Sequence, residues 1–350
     1  MPIATLAIDL AKDVFEIAAA DETGKIIERR RLTRCMLERY FDGVHGVHVI
    51  MEACATAHYW ARRFSAMKLR VSLLPPHYVR PYVRRNKTDT ADATALLEAS
   101  RASDITPIQV KSIEQQGLQG LHRVRSAWTT TRTARINMLR GLCREFGISV
   151  VAGAKPGLTA IRQQLAQENS SVPNCLRCML LQVLRELDEV DVRLTEIEAR
   201  LREIARQSVV CQRLQTIPGI GLITSTAFVG AVGDISTFRC SRRFASWLGL
   251  TPRERSSGSV RHLGSISKRG DGYLRRLLVH GARAVLYSAD AAQRAGRPLD
   301  ALRDWGLQVR ARAGHNRAAV AVANKLARIL WATWRRQRDF EFRSPRPAAV

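Results

Sequence analysis

The stretch NKTDTADATALLE, residues 86–98, closes the part of the chain whose order of elements decides the fold. After Asn86 its spacing is that of a helix. Ala91, Ala95 and Leu96 offer one face, and Asp89 and Asp92, three apart, project from neighbouring positions on one side. Two carboxylates held together repel unless a cation or a proton lies between them, and oxygen-rich sites of this kind suit magnesium, which also binds phosphate oxygens. Taken alone, the pair reads equally as acidic residues favouring the positive end of a helix.

The residues before this stretch alternate between strand and helix patterns. Residues 3–9 form a short apolar strand ending on Asp9, residues 13–21 a second strand, Glu22-Thr23-Gly24-Lys25 a turn, and residues 26–31 a third strand. A helix over 33–42 follows, then a strand over 47–51 that runs into Glu52. A helix over 55–67 and a fifth strand over 69–74, stopped by Pro75-Pro76, complete the series. Three adjacent strands followed by crossover units predict a mixed sheet with helices on its faces. In such sheets ligands sit at strand ends. If the first and fourth strands are parallel neighbours, Asp9 and Glu52 emerge side by side, and Asp89 and Asp92 complete a set of four carboxylates for a divalent metal. The competing reading makes them helix caps and solvated ends. In a two-metal arrangement the ions activate the attacking oxygen and steady the leaving one. Lys12 and Lys87 flank the set as phosphate contacts or as ordinary surface charges. Residues 76–85 alternate aromatic and basic groups and end on Arg84 and Arg85, a pattern for a sugar-phosphate backbone or for a loop covering the sheet edge.

Charge points the same way. The 350 residues carry 56 Lys plus Arg against 31 Asp plus Glu, a formal charge of +25. Such an excess favours a polyanionic partner, nucleic acid before an anionic membrane. No apolar run reaches the ~18 residues a spanning helix needs, and the opening residues lack a basic leader, so a cytoplasmic location is expected. Of the seven cysteines only Cys175 and Cys178 have metal-like spacing; no second pair follows, so zinc is not expected. They fall in a helical pattern, where they suit a packed face.

Residues 112–146 predict a long helix bearing Arg123, Arg125, Arg132, Arg135, Arg140 and Arg144, and residues 149–159 a turn or joint. A second long helix, 173–207, carries Leu180, Val183, Leu187, Val190, Leu194, Ile197, Leu201 and Ile204 at alternating spacings of three and four, a coiled-coil seam that needs a partner helix. The partner is either the arginine-rich helix of the same chain or a second subunit.

Farther on, LQTIPGIG (214–221) precedes a helix over 222–232. The pattern resembles a helix-hairpin-helix, in which Gly219 and Gly221 allow a tight turn and the next helix offers its amino end to phosphate. The alternative is a closely packed interhelical turn that binds nothing. From Arg239 to Arg283 the only acids are Glu254 and Asp271. Within this basic run Arg255, Arg261, Lys268, Arg269, Arg275 and Arg276 are candidate nucleic-acid contacts, and Ser257 is a phosphate-binding residue or a nucleophile needing an activator. Helices are expected over 238–250, 273–287 and 318–334, and a Pro/Arg-rich disordered tail at the end.

These pieces together resemble a known family. AIDLAK (7–12), MEACATAHYWAR (51–62), NKTDTADA (86–93), QQGLQGLHRVR (115–125), IPGIG (217–221), FASWLGLTPRERSSG (244–258), LGSISKRGDGYLRRLLVHGAR (263–283) and ANKLAR (323–328) are similar, in order, to the DEDD-type transposases of bacterial insertion sequences related to the Piv DNA invertase. The resemblance implies an α/β ribonuclease-H-like, RuvC-type domain over 1–110, with Asp9, Glu52, Asp89 and Asp92 as its acidic tetrad. With the patterns read above, the expected division is then a helical coiled-coil assembly domain over 111–210, an all-α transposase domain with the helix-hairpin-helix-like motif over 211–335, and a disordered tail over 336–350. The family's nucleophilic serine before glycine falls on Ser257, with Ser256 beside it. After Gly258 the chain reads Ser-Val-Arg where relatives often carry a glycine and a lysine; Arg261 is the candidate replacement. The family also implies Mg²⁺, or Mn²⁺ in its place, a structured guide RNA pairing with donor and target DNA, and dimers that join into tetramers. The expected activity is therefore DNA strand exchange through a phosphoserine intermediate. A junction-resolvase-like, structure-selective nuclease and a non-catalytic architectural nucleic-acid binder are the competing readings.

Overall fold

The computed structural model describes residues 2–83, 89–342 and 344, with the backbone alone for Asp89 and Thr90. Arg84, Arg85 and Lys87, expected to contact nucleic acid, lie outside the described residues. The chain divides into two compact units, Met1–Ile113 and Glu114–Val350.

The first unit is built on five strands: β1 (Thr5–Leu10), β2 (Val14–Ala20), β3 (Ile26–Thr33), β4 (His48–Glu52) and β5 (Arg70–Leu74). Their order across the sheet is β3-β2-β1-β4-β5. β2 is antiparallel to both neighbours, whereas β1 with β4 and β4 with β5 are parallel. The mixed sheet expected from the sequence is present, and this order is consistent with a ribonuclease-H-like architecture. Four helices accompany it: α1 (Arg34–Tyr40), α2 (Ala57–Ala66), α3 (Pro76–Val79) and α4 (Asp89–Ser100). Period-two alternation sorts the strands' side chains. Leu6, Ile8, Phe15, Ile17, Val49 and Met51 pack with Leu37 of α1 and with Trp60 and Phe64 of α2. Ala7, Ala18, Ala20 and Ile50, on the opposite face, pack with Ala93, Leu96 and Leu97 of α4. Small side chains on that face let the alanine-rich α4 lie close. Leu96 is 1% exposed, so truncating it to alanine costs about 2–5 kcal/mol.

The direction of α4 follows from two contacts. Arg101, just past its carboxy-terminal end, donates to the Gly24 carbonyl in the β2–β3 turn, and Arg29 of β3 donates to Thr94 at 3.0 Å. That turn lies at the edge of the sheet where β1 begins, because Thr5 is paired with Ala20. α4 therefore runs antiparallel to β1, and its amino end lies over the edge where β1 and β4 finish.

The second unit contains α5 (Ile113–Glu145), α6 (Ala154–Ala166), α7 (Asn174–Gln207), α8 (Val209–Gln215), α9 (Leu222–Val232), α10 (Ser241–Trp247), β6 (Pro252–Glu254), β7 (Leu263–Ile266), α11 (Gly272–Arg294), α12 (Ala301–Ala313) and α13 (His315–Arg336). The apolar seam of α7 finds its partner within the chain. Leu180, Leu184 and Leu187 meet Ile136, Leu139 and Cys143 of α5, and Ile197 and Leu201 meet Leu118. Ion pairs flank the seam: Arg125 with Glu198 at 2.6 Å, Arg132 with Asp191 at 2.5 Å and Arg135 with Glu186 at 2.9 Å. Partner numbers on α7 fall as those on α5 rise, so the two helices are antiparallel. A larger core of α8 to α13 forms around Phe228, Phe244, Leu278, Val322 and Leu326.

Four expectations are corrected. The carboxy-terminal domain is not all-α: β6 and β7 form a two-stranded antiparallel sheet. Its strands are short, and their side chains are almost all exposed, so no hydrophobic alternation betrays them. The joint expected over 149–159 is present only as far as Gly153, the N-cap of α6; Pro156 falls in that helix's first turn, a place with no intrahelical donor to lose. Cys175 and Cys178 are exposed on α7, not packed. Part of the expected disordered tail is docked: the Phe340 amide donates to the Thr216 hydroxyl at 2.9 Å, Asp339 lies 3.6 Å from Arg213, and the Phe340 ring packs on the core.

Candidate active site

In the first unit the parallel register decides which side chains can meet. Ile8 pairs with Met51, so Asp9 and Glu52 are the next residues on adjacent strands and point to one face. It is the face opposite Ile8 and Met51, the one α4 covers. Both carboxylates are half-buried, and both make interactions with their surroundings. Asp92 is half-buried in the first turn of α4; Asp89 opens that helix, and its side chain lies outside the described atoms. Topology thus brings Asp9, Glu52 and the amino end of α4 to one edge of the sheet. Among the described residues no group of three or more His, Cys, Asp or Glu is arranged to hold a metal ion. The donor set itself, entirely carboxylate oxygen, fits a hard divalent cation. Lys12 is exposed in the β1–β2 turn beside this edge.

His58, in the first turn of α2, is structural. Its Nδ1 accepts from the Lys111 amide at 3.2 Å. Burial, with Lys111 and Arg62 nearby, pushes its pKa down to about 4.

In the second unit Ser257 stands at the tip of the β6–β7 hairpin. Ser257 and Val260 exchange backbone hydrogen bonds of 3.3 and 3.2 Å, leaving Gly258 and Ser259 as a two-residue turn. Gly258 has φ +57°, the sign a type II′ turn requires at its first central position, so a glycine after the serine is a conformational need. The neighbouring serines differ. Ser256 donates to Glu254 at 2.8 Å and accepts from the His262 amide at 3.3 Å, while Arg261 donates to the same Glu254 oxygen at 3.0 Å. The Ser256 hydroxyl, then Arg261, hold the Glu254 carboxyl below its ordinary range. The Ser257 side chain is exposed and has no such tether among the described residues. Residue chemistry alone leaves the two adjacent serines equivalent, and only the resemblance favours Ser257; the hairpin separates a tied hydroxyl from a presented one.

The basic candidates also divide. Arg255, Arg261, Lys268, Arg269 and Arg276 are exposed around the hairpin and the start of α11, and Arg123 is exposed on α5. Arg275 is turned to the fold: it donates to the Leu248 and Gly270 carbonyls at 3.1 and 3.0 Å, fastening the segment after α10 to the loop before α11. Arg125 is held by Glu198 through two nitrogens. Gly219, at φ +81°, closes the α8–α9 turn against α11, where a Cβ would lie 2.5 Å from the Gly281 carbonyl oxygen. Gly221 is exposed with open space about it. The residue that sequence reasoning passed over is His122. It is buried, and its ring bridges the Tyr273 hydroxyl and the Thr226 hydroxyl, each at 3.0 Å, joining α5, α9 and α11. Burial, then Arg125, lowers its pKa to about 4. The surrounding run of leucine and arginine gives no sequence signal for such a bridge.

One unit thus carries an acidic sheet edge and the other a serine-bearing basic hairpin, and comparison with known proteins assigns the class, a transposase. A family model described as "Transposase" matches residues 6–147, and one described as "Transposase IS116/IS110/IS902 family" matches residues 211–296. A probable family 20 transposase of Pseudomonas aeruginosa is 39% identical over 96% of this chain and 98% of its own length. The transposase for insertion sequence element IS1111A of Coxiella burnetii is 38% identical over 97% and 91%, and that for IS1328 of Yersinia enterocolitica 36% over 95% and 97%. The chain belongs to the IS110/IS1111 family of DEDD transposases, relatives of the Piv-type recombinases. No helix among the described residues is long and apolar enough to cross a membrane.

Proposed function

We propose that this transposase cuts and exchanges DNA strands through a covalent link to Ser257, with Asp9, Glu52, Asp89 and Asp92 forming a RuvC-type acidic site for Mg²⁺, or Mn²⁺ in its place. The supporting observation is the β1–β4 register, which sets Asp9 and Glu52 side by side beneath the amino end of α4. When bound, the divalent cation would neutralise charge on the scissile phosphate and on the departing oxygen. The Ser257 oxygen attacks phosphorus, the bond from phosphorus to the 3′ oxygen breaks, and the serine proton ends on that oxygen. The products are a 5′-phosphoserine and a free 3′ hydroxyl. A 3′ hydroxyl from the other duplex then attacks the phosphoserine, and the serine recovers a proton, so strands are rejoined without hydrolysis. Exposed Arg255, Arg261, Lys268, Arg269 and Arg276 hold phosphates near the hairpin, with Arg123 a further contact in the second unit and Lys12 one in the first. Arg84, Arg85 and Lys87 are further proposed nucleic-acid contacts; Arg125 and Arg275 support the second unit's basic surface from within the fold. The turn at Gly219 and Gly221 acts as a helix-hairpin-helix-like clamp on the DNA backbone through the amino end of α9. A structured guide RNA supplies sequence choice by base pairing, and dimers joined as tetramers bring the acidic site of one subunit to the serine of another.

The test compares Ser257→Ala and Asp9→Asn with wild type on element-end and target DNA with guide RNA and Mg²⁺. Both variants are expected to abolish strand exchange, and Ser257→Ala also to abolish the protein–DNA adduct. Cleavage surviving without an adduct in Ser257→Ala would favour the hydrolytic nuclease; DNA binding unchanged by Asp9→Asn, with neither cleavage nor exchange by wild type, would favour an architectural binder.

A further inference from the structure

Behind the serine hairpin the second unit holds a cleft of about 1300 Å³. One wall is β7, with Leu263 and Ile266; the other is the face of α13 that carries Arg317, Ala321 and Arg328. Arg317, Ala321, Asn324 and Arg328 follow the four-and-three spacing of a single helix face, which runs about 16 Å at 1.5 Å per residue. Asn324 is spent on architecture, donating to the Leu250 carbonyl at 3.0 Å and so fixing α13 to the base of the hairpin. Lys325 also lines the cleft, its Nζ 4.1 Å from the centre of the Trp305 ring. Among the described residues the lining includes no acidic side chain, and neither Arg317 nor Arg328 has an ion-pair partner. Leu263 is 52% exposed, an apolar side chain left in water on a basic surface.

Cations along a rim with apolar side chains beneath are complementary to a chain of phosphates carrying unpaired bases. A duplex satisfies the rim alone, because its bases are stacked on one another and offer no free faces to Leu263, Ile266 or Ala321. We infer that this cleft binds an unpaired stretch of the DNA strand that reacts at the hairpin, with Arg317, Lys325 and Arg328 on its phosphates. Burial, and then Arg328, already lowers the Lys325 pKa; a bound phosphate relieves that strain by favouring the charged form. This inference rests on the strand-exchange reading, since it uses the hairpin that carries Ser257.

Binding is measured on full-length Ser257→Ala protein, so that failure of the chemistry and failure of the cleft are read separately. Fluorescence anisotropy compares a labelled single-stranded DNA, the same sequence as duplex, and the same sequence as RNA. Arg317→Gln/Arg328→Gln is expected to weaken single-stranded DNA about tenfold or more and to lower its salt slope by about 1.4, with the duplex, which meets the rim alone, weakened less. Ala321→Trp, which fills the cleft without changing charge, is expected to weaken single-stranded DNA alone. Photocrosslinking from 4-thiothymidine in the single strand is expected on the peptides that include Ile266 or Ala321. Equal losses for duplex and single strand, losses confined to RNA, no effect of Ala321→Trp in a protein with unchanged melting, or crosslinks only outside the cleft would each overturn the assignment.

Discussion

Gly281→Ala probes whether the α8–α9 turn is set by close packing. The backbone of Gly219 approaches α11 so closely that a Cβ at Gly281 would lie 2.1 Å from the Gly219 oxygen, well inside ordinary contact. The obstacle is backbone, not the far end of a flexible side chain, so α9 or α11 must shift. Overpacking of this kind costs about 1–3 kcal/mol. For a unit of this size each kcal/mol lowers Tm by about 2–4 °C, giving a fall of about 2–12 °C. The control is Gly221→Ala, where nothing lies within 4 Å of the added carbon; it is expected to change stability by no more than about 0.5 kcal/mol. Thermal unfolding followed by circular dichroism reads both. A Gly281→Ala protein that melts with wild type, or a Gly221→Ala protein destabilised as much, would refute the packing argument. If the turn also clamps DNA through the amino end of α9, Gly281→Ala should weaken duplex binding below its melting transition.

Three further outcomes are expected. His122 has a folded pKa near 4 against an ordinary 6.5, so the unfolded chain binds more protons between those values and stability falls as pH drops through that window. Denaturation midpoints should decline from pH 6.5 to 4 in wild type and decline less in His122→Gln, with His58 and His48, both shifted the same way, contributing to the remainder. Arg132→Asp and Asp191→Arg should each lower Tm, and the double swap should recover part of the loss, of order 1 kcal/mol because the pair is only partly buried. Ser256→Ala removes the tether to Glu254 and is expected to keep adduct formation within about tenfold of wild type, as read on denaturing gels.

The first unit was legible because its signals are local and consistent. Alternation in 13–21, the apolar run into Asp9 and the Pro75-Pro76 stop each announce an element, and the observed β1, β2, β4 and β5 fall within a residue or two of expectation. The seam of α7 was equally plain, but periodicity says only that a partner exists. That the partner is α5 of the same chain depends on pairs such as Arg125–Glu198, 73 residues apart. The serine hairpin was invisible because its strands bury almost nothing, and its turn is set by one glycine at positive φ. The difference between Ser256 and Ser257 depends on how that hairpin folds Glu254 and His262 back onto one hydroxyl, which composition and spacing do not encode. The distinction between structural and available arginines was illegible for the same reason: Arg275 and Arg276 are neighbours, yet one is tied to backbone carbonyls and the other is exposed.

The most direct measurement is peptide mapping of the covalent complex formed by wild-type protein with element-end DNA, guide RNA and Mg²⁺. The account predicts a nucleotide adduct on the peptide spanning 256–261, with fragment ions placing it on Ser257. An adduct on Ser256 or elsewhere, or efficient strand exchange with no adduct at all, would contradict it.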